Sequence, residues 1–161
     1  MNNRRKFFKS LGLLSATALV GGLHPKNSLA KTKIKWKMVT SWPKNFPGLG
    51  AGAETLARYI NNLSGGSLEV KVFGANELVP PLGVFDFVSS GGAEMGHSGA
   101  YYWKGKTEAA QFFSSVPFGM TAQEMNSWLY YGDGIKLWEE VYANFNLIPV
   151  SYTHLRAHET L

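Results

Sequence analysis

A chain of 161 residues, 45% hydrophobic and 14% aromatic, holds enough apolar material for a packed domain, which excludes a disordered protein. The net charge is +5, but Arg4, Arg5, Lys6, Lys9 and Lys26 supply all of it. From Lys31 to Pro149 nine Lys and one Arg face ten Asp plus Glu, so a basic nucleic-acid footprint is excluded, and the lack of cysteine excludes disulfides, thiolate metal sites and a Cys nucleophile.

At the N-terminus, the basic run Asn3 to Lys9 precedes a weakly apolar stretch, Leu11 to Leu23, and Ser28-Leu29-Ala30 offers small residues where a signal peptidase cuts. The stretch is interrupted by Gly12, Gly21 and Gly22 and is too short to span a bilayer. It resembles a twin-arginine export signal, with Asn3 where Ser or Thr is commonest. Cleavage is expected after Ala30, so residues 1–30 stand apart from the fold, and the twin-arginine export machinery is the expected partner.

The next segment reads as α/β. Ile34, Trp36 and Met38 alternate with Lys33, Lys35 and Lys37, which predicts a strand with one wet face. Pro43, Pro47 and Gly48 make the following stretch, with Trp42, a loop. Ala53, Leu56, Ala57, Ile60 and Leu63 share a helical face, with Glu54, Arg58 and Asn61 outside, and Gly65-Gly66 stops the helix after about Ser64. Leu68, Val70 and Val72 predict a second strand over Ser67 to Phe73. Strand, helix, strand at this spacing is a βαβ unit with parallel strands.

Gly74 to Pro80 reads as a turn, since paired prolines delay the next helix until Pro81 can open it. Val84, Phe85 and Val88 give that helix its apolar face, and Gly91-Gly92 ends it. Ala93 to His97 is a short strand that delivers Ser98 to Trp103 to the carboxyl edge of the sheet, where open α/β sheets bind ligands. The loops carrying Trp42 and Tyr101-Tyr102 are expected to meet at that edge. Gln111 to Phe118 is expected to be extended. Thr121 and Glu124 form a capping box for a helix through Tyr131. After a break at Gly132-Asp133-Gly134, Leu137, Trp138, Val141, Tyr142 and Phe145 mark another helix face, and Asn146 to Pro149 is expected to begin a strand.

Residues 150–161 open with VSYTHLRAHET, which looks like a translated frame of a transposase-type sequencing adapter. The natural sequence is therefore expected to stop near Pro149, as a fragment of a longer reading frame. His154 and His158 have the i, i+4 spacing of a helical metal pair, but are expected to belong to that tail.

The order of W-K-M-V-T-S-W-P, F-G-A-N-E-L-V-P-P-L-G-V-F-D, G-A-E-M-G-H-S, A-Y-Y-W and V-P-F-G-M resembles the solute-binding subunit of tripartite ATP-independent periplasmic (TRAP) transporters, in its 2-oxo-acid-binding branch. The resemblance implies a type II periplasmic binding protein fold, a parallel-dominated sheet flanked by helices, with residues 31–149 forming one lobe and the start of the second. It implies capture of a small monocarboxylate such as pyruvate for a sodium-driven permease in the membrane. It also implies a cation, sodium or calcium, in the full-length protein, with most of its ligands and the anion-pairing arginine beyond Pro149. No cofactor is expected within 31–149.

On this resemblance Tyr101 and Tyr102 are ligand-binding candidates, since a phenol can both donate to a carboxylate and wall a small acid; one of the two could instead pack into the core. Trp42 is the third candidate, closing the cleft or plugging its loop. Arg58 lies on the polar face of its helix and reads as a surface residue, His97 as a core histidine, and Glu77 and Glu94 as loop-supporting carboxylates. A ligand receptor for a membrane sensor on the same fold is the alternative reading. An exported enzyme has less support, because there is no Gly-rich phosphate loop, nucleophile elbow or metal-spaced ligand set.

Overall fold

Met38 and Val39 are neighbours in one strand, both 1% exposed, and they enter different cores. A strand whose successive side chains are both buried must lie between two apolar layers. The structure, a computed structural model, describes residues 33–114 and 116–151. The export signal over 1–30 and the His154/His158 pair lie outside the described residues.

Strands β1 (Ile34–Thr40), β2 (Leu68–Phe73) and β3 (Met95–His97) form a parallel sheet in the order β2-β1-β3. Helix α1 (Leu49–Leu63) connects β1 to β2, and Pro81–Gly83 forms a 3-10 turn leading into α2 (Val84–Ser89) before β3. Further 3-10 turns follow at Ala100–Trp103 and Glu108–Phe113, then helices α3 (Ala122–Tyr131) and α4 (Gly134–Ala143). The α/β class, the parallel order and the element sequence through β3 agree with the sequence pattern.

One face of the sheet packs Met38 and Val70 against Ala53 and Ala57 of α1. The small alanines let the helix approach closely, and no residue larger than Met fills that buried layer. The other face carries Val39 into a larger core with Val84, Phe85, Trp103, Phe113, Trp138 and Tyr142. Phe85 is its hub, with ring centroids 5.2 Å from Trp103, 5.5 Å from Tyr142 and 5.0 Å from Phe145. Phe113 stacks between Trp128, at 5.9 Å, and Trp138, at 5.2 Å. Burying one such ring contributes roughly 2–3 kcal/mol.

Two polar side chains complete the sheet's hydrogen bonding. On β2, the Val70 N–H donates to Asn61 Oδ1 at 2.6 Å, and Asn61 Nδ2 donates to the Val70 carbonyl at 3.2 Å. On β1, where β3 has not yet begun, the Lys37 N–H donates to Glu94 Oε2 at 2.7 Å.

Several expectations need correction. Ile34 and Trp36 are exposed: β3 flanks only the last three residues of β1, so at its start β1 is paired on one side alone, with β2. Leu56 and Leu63 of α1 are exposed too, as is Leu137 of α4, so each helix buries a narrower stripe than its apolar residues suggest. Residues 108–113, partly within the stretch expected to be extended, are helical, because turning the chain there seats Phe113 between two indoles. No strand forms over Asn146 to Pro149; after a turn, Leu147 packs on the large core without a ladder partner among the described residues.

The capping box is present: Glu124 Oε2 accepts from the Thr121 N–H at 2.8 Å, and Thr121 Oγ1 accepts from the Glu124 N–H at 3.4 Å. Thr121→Ala is expected to cost about 1 kcal/mol, read as a lower urea midpoint with faster amide exchange confined to the first turn of α3.

Candidate functional site

The carboxyl ends of the three strands converge. The Ser41 N–H donates to the His97 carbonyl at 3.1 Å, extending the β1–β3 ladder by one step. The Ala75 N–H donates to the Trp42 carbonyl at 3.0 Å, tying the loop after β2 to the loop after β1. Ser41 Oγ donates to the Pro81 carbonyl at 2.7 Å and lies 2.6 Å from Ser98 Oγ. Lys44 and Glu77 close the rim with an ion pair of 2.8 Å, which solvent screens at such exposure.

Trp42 is only 8% exposed. Its backbone N–H donates to Thr40 Oγ1 at 3.0 Å, and its ring stands edge-on to His97 with centroids 5.1 Å apart. The indole therefore plugs the junction between the ends of β1 and β3. His97 is half-buried, and burial pushes its pKa down to about 4. At neutral pH it is uncharged and offers no cation to an acid.

Tyr101 and Tyr102 are 45% and 41% exposed, while the next residue, Trp103, is 5% exposed and anchors the turn in the large core. Both tyrosines thus face outward, side by side, with ring centroids 4.4 Å apart. Gly99 makes room for Tyr101: a β-carbon there would sit 2.6 Å from the ring's Cε1. The structure brings Trp42 to His97, and Ser41 to Ser98 at the foot of the tyrosine turn, so the two predicted loops do meet at one sheet edge.

Arg58 keeps to its own helix, 5.9 Å from the Tyr59 ring and 3.4 Å from Thr55 Oγ1. Glu77 and Glu94 support loops; the Lys44 ammonium holds Glu77 below the usual carboxylate range, and the Lys37 N–H does so for Glu94. Among the described residues no group of three or more His, Cys, Asp or Glu could hold a metal ion. Sequence reasoning missed Ser41, Ser98 and Gly99. The usable signal was their position: each serine follows a strand by one residue, at the edge where ligands bind.

A separate open groove of about 460 Å³ lies among Phe112, Phe113, Trp128, Leu137 and Val141. Its one charged side chain is Glu140, which would repel an acid, so it does not compete with the sheet edge as an anion site.

Residues 38–154 match the DctP family, bacterial extracellular solute-binding protein family 7. The chain is similar to the monocarboxylate 2-oxoacid-binding periplasmic protein of Nostoc sp., 40% identical over 149 residues, covering 90% of this chain and 41% of the relative. Two crystal structures of TRAP periplasmic solute-binding proteins are also similar. That from Pseudoalteromonas atlantica, with bound sodium and pyruvate, is 42% identical; that from Colwellia psychrerythraea, with bound calcium and pyruvate, is 41% identical. Each has a TM-score of 0.70, with 72% of this chain covered and 35% of the other. The chain thus spans well under half the length of these relatives. With its fold and most of its sequence matched, the chain belongs to bacterial extracellular solute-binding protein family 7.

Proposed function

We propose that this chain is part of a periplasmic solute-binding protein that captures a small 2-oxo acid such as pyruvate and passes it to the membrane subunits of a TRAP transporter. One observation carries the reading: the two solved relatives described above, 42% and 41% identical, were found with pyruvate, together with sodium or calcium. The physical chemistry of the sheet edge is compatible. Two adjacent phenols can donate to a carboxylate, and their rings can wall the methyl end of a small acid.

The charge that holds the acid comes from elsewhere in the full-length protein. His97 is neutral and Arg58 is engaged within its helix. The resemblance to 2-oxo-acid-binding TRAP subunits, rather than any elimination among these residues, assigns the cation's ligands and an arginine clamp to the part of the relatives' length that this chain does not span. Export by the twin-arginine route, read from Arg4 and Arg5, belongs to the same proposal.

Calorimetry of the full-length protein with pyruvate, in the presence of sodium or calcium, tests the reading. Binding is expected in the micromolar range, and residues 31–149 alone are expected to bind far more weakly. Tyr101→Phe or Tyr102→Phe is expected to weaken binding about tenfold or more, since a hydrogen bond to a charged group contributes roughly 1.5–3 kcal/mol. Wild-type affinity in both variants would remove the tyrosines from the site. Failure to bind any 2-oxo acid would remove the ligand assignment.

A further inference from the structure

The hydroxyls of Ser41 and Ser98 lie where three segments meet: the end of β1, the end of β3 and the turn that opens α2. The proton count at this junction is determined. The Pro81 carbonyl can only accept, so at 2.7 Å the single hydroxyl hydrogen of Ser41 is committed to it. The 2.6 Å contact between the two serine oxygens then needs a hydrogen from the other side, so Ser98 donates to Ser41. Neither hydroxyl has a hydrogen left for a ligand's carboxylate.

We propose that the relay Ser98 to Ser41 to Pro81 is a positioning device for the ligand mouth, holding the tyrosine turn in register with the sheet without binding the acid itself. The inference rests on the acid-binding reading above. Ser41 is buried and sits on the last rung of the β1–β3 ladder, so it provides a fixed point. From Ser98 the chain passes through Gly99, whose carbonyl accepts from the Tyr102 N–H at 3.1 Å, into the turn at Ala100–Trp103. Trp103 anchors the far end of that turn in the core, and the relay anchors the near end. Tyr101 and Tyr102 lie between the two anchors. A turn fixed at both ends presents its phenols with less ordering cost on binding.

The test uses the full-length protein, with pyruvate titrations and amide hydrogen exchange of the ligand-free state. Ser98→Ala removes the relay's first donor while leaving the Ser41–Pro81 bond in place. It is expected to weaken pyruvate binding fivefold to tenfold, in line with the loss of one hydrogen bond, and to speed exchange across residues 99–103 with no change in α1. Ser98→Thr, which keeps the hydroxyl, is expected to restore both. Wild-type affinity in Ser98→Ala, or a loss that Ser98→Thr does not recover, would overturn the proposal. If wild-type protein binds no 2-oxo acid, the functional reading fails by itself. The exchange arm then decides the relay: faster exchange over 99–103 in Ser98→Ala supports it, and unchanged exchange overturns it.

Discussion

Gly50→Ala is expected to lower the stability of the protein by about 3 kcal/mol, the upper part of the range for overpacking a filled site. A β-carbon at Gly50 would lie 2.1 Å from the Pro43 carbonyl oxygen and 3.2 Å from the Phe46 β-carbon. The first obstacle is backbone, so no rotamer change relieves it. The loop after β1 would have to lift from the first turn of α1, straining the bonds that tie Trp42 to Thr40 and Ala75. Gly52 provides the control, because a β-carbon there meets nothing within 4 Å. Gly52→Ala should be neutral or raise stability by up to about 1 kcal/mol, through helix propensity and a less flexible unfolded chain. Urea unfolding with an unchanged slope measures both. A shift of the same sign in the two variants would contradict the close approach at Gly50.

The second large effect is a pH dependence set by His97. Its folded pKa is about 4, lowered by burial, against an ordinary histidine value of 6.5. Above about pH 6.5 the ring is neutral in both states and imposes no penalty. Between pH 6.5 and 4 the unfolded chain binds a proton that the folded chain does not. Stability is therefore lost as pH falls through that window, and the loss levels off below it. A shift of this size corresponds to about 3–4 kcal/mol at most, and to roughly 2–3 kcal/mol once the ring's partial exposure is allowed for.

His97→Phe keeps a ring against Trp42 and removes the titration. Its unfolding free energy should vary less between pH 7 and pH 4.5 than that of the wild type, whatever its absolute stability. The exposed carboxylates Glu69, Glu77, Glu94 and Glu124 are also held below the usual range, by Lys33, Lys44, the Lys37 N–H and the Thr121 N–H respectively. Their stabilising contribution also falls at acid pH, but equally in both proteins, so the difference in slope isolates His97. Equal slopes would place its folded pKa near the ordinary value.

What could be read from the residues alone was governed by short-range rules. The period-2 runs at Ile34 and Leu68, the diglycine stops and the Thr121/Glu124 box each depend on neighbours in sequence, and each element formed near its expected position. The readings that failed depend on distant partners. Ile34 and Trp36 carry a strand's alternation, yet their burial depends on how far β3 reaches, and β3 is three residues long. Phe113 helped to suggest an extended segment, but its placement is decided by Trp128 and Trp138, residues on two later helices. Asn61 falls outside the apolar stripe of α1 by its spacing, yet its carbonyl and amino groups match the two polar groups of Val70. At the candidate site the aromatics were visible as motifs. The serine relay was not, because a hydroxyl's partner is a matter of a few tenths of an ångström across three segments.

The Asn61–Val70 pairing has a consequence for how the protein behaves in concentrated solution. Among the described residues β2 is an outer strand, and a bare outer strand is a template on which a second chain can add. By occupying both polar groups of Val70, the Asn61 amide mimics such an added strand at the middle of the exposed ladder. An incoming polypeptide would have to displace two formed hydrogen bonds before gaining any. The helix that crosses from β1 to β2 therefore also guards that rim of the sheet against self-association.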